Sequence, residues 1–291
     1  MDGPQLLKLL VTASILLLVF ALGARATFAD ATCVVRESVR PPYWLLRALV
    51  AMYVVVPATA VGLGIVLDLE RPIRVGLLAL AVAPIPPILP RRQLELGGSA
   101  GHVFGLLVAV SLCAIVQVPV MVEVLGRLFG REASFGPGRV AAVIGMTILI
   151  PLTAGLVVRW LTPRWASRAA PWASRLGTVL LAIAVIAILV KAGPMMISLV
   201  RGDTMFAIVA MTAIAIGAGH WIGGPNPSDR AILAFASAMR HPALALAVAT
   251  ANVPQEPRLF AVILLYVLVS LVMTTLYAAT IRRQQHLRAA A

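Results

Sequence analysis

Near the C-terminal end of the chain, the residues Arg240-His241-Pro242 stand inside an apolar run, "FASAMRHPALALAVATA", from Phe235 to Ala251. Each of the three has a chemistry that such a run otherwise lacks. Arginine offers a fork of five N–H donors and a permanent charge, suited to a carboxylate. Histidine offers a proton exchangeable near neutral pH. Proline removes a backbone donor and frees the carbonyl four residues back, that of Ala238. Ser237 and Ala236 precede them on the same segment. A second stretch, "AVAPIPPILPRRQ", gathers Pro84, Pro86, Pro87 and Pro90 within seven residues, with Leu89 between and Gln93 after. Each proline lacks an N–H, and each pushes the residue before it out of the helical region. A helix entering this stretch stops near Ala83, and the chain then runs extended.

Backbone of that kind survives at membrane depth only when it is buried in protein or lines an aqueous cavity. Depth is therefore the next question. The chain is 61% hydrophobic and 12% charged over 291 residues, far more apolar than a soluble domain. Nine stretches satisfy the ~20-residue length of a membrane span: 5–23, 43–67, 74–90, 102–128, 139–160, 172–190, 204–222, 229–251 and 259–281. The predicted fold class is an all-α polytopic membrane protein, a single transmembrane domain with no soluble part. Arg240 lies eleven residues past Asp229, roughly 16 Å along a helix and so near the midplane. A charged side chain there costs at least ~2.5 kcal/mol on an insertion scale, so it belongs in an interior or a wet cavity. The first span is expected to be retained rather than cleaved as a signal peptide, because its basic flank is thin and its apolar run long.

The two interrupted spans are the third and the eighth. Successive spans alternate direction, so equivalents five apart run oppositely. Paired Pro-interrupted segments in corresponding positions of inverted halves mark transporter binding sites. The predicted organisation is a first repeat over 5–128 that lacks its opening helix and an inverted second repeat over 139–281. The candidate substrate-binding and crossover residues are Arg240, His241, Pro242, Ala236, Ser237, Pro84, Pro86, Pro87, Leu89, Pro90 and Gln93. Pro57, Pro119 and Pro151 read as simple kinks, and His220 as an interface anchor. Arg91 and Arg92 read as cytosolic loop charges, with an inner cavity as the alternative.

The net charge of +13 is scattered between apolar runs, with no basic stripe interleaved with aromatics, so nucleic acid is not an expected partner. Basic residues, Arg40 among them, are denser on the side that holds Arg25, Arg91, Arg92, Arg164 and Arg282 than on the side of Arg201. This bias predicts an outside N-terminus and a cytoplasmic C-terminus in the cell membrane. Cys33, in a polar loop, and Cys113, in an apolar run, show neither metal spacing nor a disulfide framework. No carboxylate pair, HExxH or convincing nucleophile–base pair marks an enzyme. No cofactor is expected. The expected partners are the lipid bilayer and a small anionic solute, with the oligomeric state left open.

The chain resembles the bile acid:sodium symporter family. "VVVPATAVGLGIVL" is similar to that family's helix with a Pro-Ala-rich bend, and "RVGLLALAVAPIPPILPRRQLELGG" sits where the family has a Pro-Gly-Gly break and a short half-helix. "MTILIPLTAGLVVRWL" resembles the Pro-containing helix that opens the second repeat, and "AILAFASAMRHPALALAVATA" the second crossing helix. The resemblance implies two inverted repeats forming a core and a panel, substrate between them, and secondary transport of an organic anion. It also implies sodium. The positions matching the family's sodium ligands, however, are Ala236, Arg240, His241, Leu89 and Pro90. Sodium is a hard cation that wants oxygen ligands, as the hard divalent cations do. An arginine ~4 Å away opposes a cation by roughly 4 kcal/mol at an effective dielectric near 20. Sodium coupling is therefore not expected from these residues, and Arg240 is expected to act as a tethered cation, with His241 available for proton coupling. The alternatives are an uncoupled or proton-coupled exporter, or a transport-dead sensor or scaffold of the same fold.

Overall fold

A computed structural model describes residues 3–37, 43–200 and 202–290. Arg40 and Arg201, which enter the charge bias, lie outside them. The described residues form helices joined by short links, with no strand among them. In order run α1 (Gly3–Gly23), α2 (Phe28–Glu37), α3 (Tyr43–Val50), α4 (Val56–Val66), α5 (Arg71–Val82), α6 (Leu89–Glu95), α7 (Ala100–Leu128), α8 (Pro137–Ile144), α9 (Ile150–Leu161), α10 (Pro163–Leu199), α11 (Asp203–Ile222), α12 (Pro227–Ala238), α13 (Pro242–Asn252) and α14 (Arg258–Ala290). Single π-helical turns, Ala51–Val55 and Gly145–Leu149, join α3 to α4 and α8 to α9. Eight helical segments among the described residues are long and apolar enough to cross a membrane. The ninth expected crossing, third in order, is divided into α5 and α6 with an irregular link between them. The molecule is a multi-pass membrane protein.

The helices pack as two bodies. In the first, α1 lies against α9 and α10. Glycine makes this possible: a Cβ on Gly155 would stand 2.3 Å from the Phe20 carbonyl oxygen, and one on Gly23 would stand 2.2 Å from that of Leu152. Lipid offers helices no hydrophobic drive to associate, so close backbone approach through small residues has to supply the van der Waals contact. The outer side of α10 presents Val179, Ile183, Ile186, Val190 and Ile197, all exposed, as a lipid-facing surface. The second body holds α4, α5, α7 and α11 to α14 around buried Leu77, Leu80, Phe104, Leu107, Phe235, Leu244 and Tyr266.

Two expectations change. The stretch around Cys33 is not a loop but α2, packed on α7. Its N-terminus carries a reciprocal cap: the Thr27 N–H donates to Asp30 Oδ2 at 2.8 Å, and the Asp30 N–H donates to Thr27 Oγ1 at 3.1 Å. The third crossing opens at Arg71 rather than Arg74, because Pro72 fits the first helical turn, where an N–H would be unbonded in any case.

Candidate functional site at two broken helices

Both interruptions are present, and they touch. Helix α5 stops at Val82, and Ala83 is extended (φ −69°, ψ 144°). The prolines keep the link irregular until α6 opens with Pro90 in its first turn. Helix α12 stops at Ala238, with Met239 extended (φ −91°, ψ 128°), and α13 begins at Pro242. The backbone N–H of His241 donates to the Pro84 carbonyl at 2.8 Å, joining one break to the other.

Arg240 is the largest side chain in the buried interior. Its guanidinium donates from Nη1 to the Ala83 carbonyl and from Nη2 to the Met52 carbonyl, each at 3.1 Å. No carboxylate pairs with it, and its Nε has no hydrogen-bond partner, among the described residues. Met52 has a free carbonyl for a local reason. In the π turn the Val56 N–H bonds back to the Ala51 carbonyl, five residues away. The same spacing assigns the Met52 carbonyl to residue 57, which is proline and has no N–H. Ala238 has the same problem, since its helical donor is Pro242. The Tyr266 hydroxyl fills that position, donating to the Ala238 carbonyl at 2.8 Å. A buried carbonyl left unpaired costs about 1–3 kcal/mol. The carbonyls of Ala83, Pro84, Met52 and Ala238 all escape that cost through donors that come from Arg240, His241 and Tyr266.

His241 is buried beside them. Its Nδ1 accepts the Leu244 N–H at 3.3 Å and so caps α13. Its Nε2 lies 3.1 Å from Thr147 Oγ1, and the Thr147 hydroxyl donates to the Val143 carbonyl at 2.7 Å. These bonds assign a neutral imidazole with its proton on Nε2, donated to Thr147. Thr147 sits on the second π turn, which packs on α1. The His241–Thr147 bond therefore spans the two bodies.

Beside the crossing, a cavity of about 630 Å³ opens between α1 and α10 on one side and α6 and α14 on the other. Ile88, in the first break, reaches it. Arg25, Arg91, Arg92 and Arg282 line it against one carboxylate, Glu95, while Leu18, Leu22 and Leu181 supply apolar wall. Arg91 Nε pairs with Glu95 Oε1 at 3.2 Å, and Arg92 Nη1 donates to Thr275 Oγ1 at 3.0 Å. Arg91 and Arg92 are thus cavity residues on a half-helix, not loop charges.

Of the expected site residues, Arg240, His241, Pro242 and Pro84 form the crossing itself. Pro86 and Pro87 make the link buried. Leu89, Pro90 and Ala236 are buried on the half-helices. Gln93 ties α6 to α12 by donating from Nε2 to the Ile232 carbonyl at 2.8 Å. Gln93 Oε1 and Ser237 Oγ are buried without hydrogen-bond partners among the described residues. Sequence reasoning missed Met52, Thr147 and Tyr266. His220 Nδ1 lies 2.7 Å from the Tyr277 hydroxyl.

The sequence profile described as the sodium bile acid symporter family matches residues 12–199. The chain belongs to the sodium bile acid symporter family. Members of this family are transporters, not enzymes. A curated relative from Bacillus subtilis (strain 168), "Uncharacterized sodium-dependent transporter YocS", is 27% identical over 237 residues, which cover 75% of this chain and 67% of the relative. Within this symporter-family chain, the profile match takes in the first break and the helices α1, α9 and α10 of the first body. The second break, with Arg240, lies beyond it.

Proposed function

We propose that this chain is a secondary transporter of a small organic anion, and that the Arg240 guanidinium holds its broken helices together where sodium-coupled relatives place a bound ion. The observation that carries this reading is the pair of hydrogen bonds from Arg240 to the Ala83 and Met52 carbonyls. A cation bound at that point would meet a fixed positive charge. Of the positions that match the family's sodium ligands, Ala236, Leu89 and Pro90 carry apolar side chains, and both ring nitrogens of His241 are engaged. The sodium dependence in the relative's printed name is accordingly not carried over.

The anion follows from the cavity. Four arginines face one glutamate in a space flanked by apolar wall, an arrangement that favours a negative head group on a partly apolar body. The two-body design favours transport over a passive scaffold. Helix starts at Gly3, Tyr43, Arg71 and Ala100 are followed at near-constant spacing by starts at Pro163, Asp203, Pro227 and Arg258. This spacing supports an inverted repeat over 5–128 and 139–281 and movement of one body against the other. The His241–Thr147 bond spans them and is positioned to break as they move.

The test is a thermal-shift screen of carboxylates and sulfonates on wild type and Arg92→Ala, followed by flux of the best ligand in proteoliposomes. The reading expects stabilisation that Arg92→Ala loses, and equal flux in sodium and potassium media. Flux that stops without sodium contradicts it, as does a protein that no anion stabilises.

A further inference from the structure

A second chamber, of about 360 Å³, lies away from the arginine-lined cleft. Its walls come from α5, α7, α13 and the turn that follows α7. No residue of α1, α9 or α10 contributes, so it lies inside the second body and not between the two. The floor is apolar, formed by Leu78, Ala79, Val82, Leu125, Val248 and Ala249. The rim carries Arg71, Arg74 and Arg131 against one carboxylate, Glu132. The nearby acids are already engaged, since Glu70 pairs with Arg258 and Glu123 with Arg127. Arg71 and Arg131 have no ion-pair partner among the described residues. Helix α5 also begins at Arg71, so the unbonded N–H groups of its first turn add to the positive field at the mouth.

The mouth is held in shape. Asn252 Oδ1 accepts the Ser134 N–H at 2.9 Å, and Asn252 Nδ2 donates to the Val248 carbonyl at 2.9 Å. The turn that carries Arg131 is thereby pinned to α13.

We propose that this chamber binds a single-tailed amphipathic carboxylate from solution, with its head among Arg71, Arg74 and Arg131 and its tail along the apolar floor. At ~30 Å³ per water-sized unit the chamber holds roughly twelve heavy atoms, the size of an alkyl carboxylate of about ten carbons. It is too small for the two acyl chains of a phospholipid. The ligand packs between the two arms of the crossing, because α5 ends one residue before Ala83 and α13 begins one residue after His241. Occupancy therefore stabilises the crossing from a position separate from the transport cleft.

Calorimetry and thermal shift on the purified full chain in neutral detergent test this, with decanoate as the probe. Acetate, which has the head without the tail, and decyltrimethylammonium, which has the tail with the opposite charge, serve as controls. Saturable decanoate binding is expected, with neither control binding comparably. The double variant Arg71→Ala/Arg131→Ala weakens it about tenfold or more, the loss of roughly one kcal/mol-scale contact at each partly solvated arginine. Val75→Phe, which fills the chamber from a partly exposed wall, abolishes it; both variants are compared in the Arg92→Ala background, where the cleft is disabled and decanoate reports the chamber alone. The proposal is overturned by decanoate affinity left unchanged by the double variant or by Val75→Phe in that background, by no decanoate binding in Arg92→Ala itself, or by equally tight binding of the cation.

Discussion

Replacing Arg240 by methionine keeps most of the side-chain volume and removes the charge and both hydrogen bonds. Two buried carbonyls, those of Ala83 and Met52, then lose their donors. At about 1–3 kcal/mol for each unpaired group, the loss is roughly 2–6 kcal/mol. An opposing effect is the desolvation of a guanidinium with no carboxylate nearby, which methionine relieves. Arginine is the more weakly hydrated of the two basic side chains, and its fork meets both carbonyls at once, so the carbonyl loss is expected to win. Lysine separates the two effects. It keeps the charge, but a single ammonium does not reproduce the planar fork, so Arg240→Lys should fall between wild type and Arg240→Met. At ~2–4 °C per kcal/mol, Arg240→Met should lower the midpoint of thermal unfolding in detergent by roughly 4–24 °C. A methionine variant as stable as wild type, or more so, refutes the clamp, because it means the buried charge is a burden that the two carbonyls do not offset.

Other outcomes follow from the same geometry. Thr147→Val leaves the His241 Nε2–H without its acceptor and should cost about 1–3 kcal/mol in denaturant unfolding, whereas Thr147→Ser should not. Gly155→Val drives a side chain into the Phe20 carbonyl, 2.3 Å from the first added atom, and should destabilise by at least about 1–3 kcal/mol, read as lost folded protein after extraction. The triple variant Ala236→Glu/Arg240→Gln/His241→Asn removes the fixed charge and places oxygen side chains at the crossing. It should gain a sodium-dependent stabilisation, about 2.7 kcal/mol when sodium reaches a hundred times its Kd, read as a rise in melting temperature; no response to sodium in a folded triple variant counts against the tethered-cation reading.

Both breaks were legible because proline acts locally. Pro84, Pro86 and Pro87 remove three backbone donors from one short segment whatever surrounds them, and Pro242 frees the Ala238 carbonyl by the same rule. The depth of Arg240 followed from counting residues along an apolar run. The partners at the crossing did not, because they come from distant segments: Met52, which accepts from Arg240, is offered by a π turn that no pattern announces, and Tyr266, which donates to the Ala238 carbonyl, lies on the last helix. Pro57 and Pro151 read as kinks, yet each follows a π turn, and the turn decides which carbonyl is released. The helix α2 did carry a signal that was passed over, the Thr27-x-x-Asp30 cap. The cavity role of Arg91 and Arg92 was hidden because a charged pair after four prolines looks the same in sequence whether it faces a loop or a cleft.

The most direct measurement is sodium binding to the wild-type protein itself, needing no knowledge of the substrate. Thermal stability is followed as sodium chloride replaces N-methylglucamine chloride at constant ionic strength, alongside equilibrium binding of radioactive sodium. With Arg240 fastening the crossing, the melting temperature stays flat and no saturable sodium is retained. A saturable rise in melting temperature, with stoichiometric sodium bound, contradicts the assignment of that place to the guanidinium.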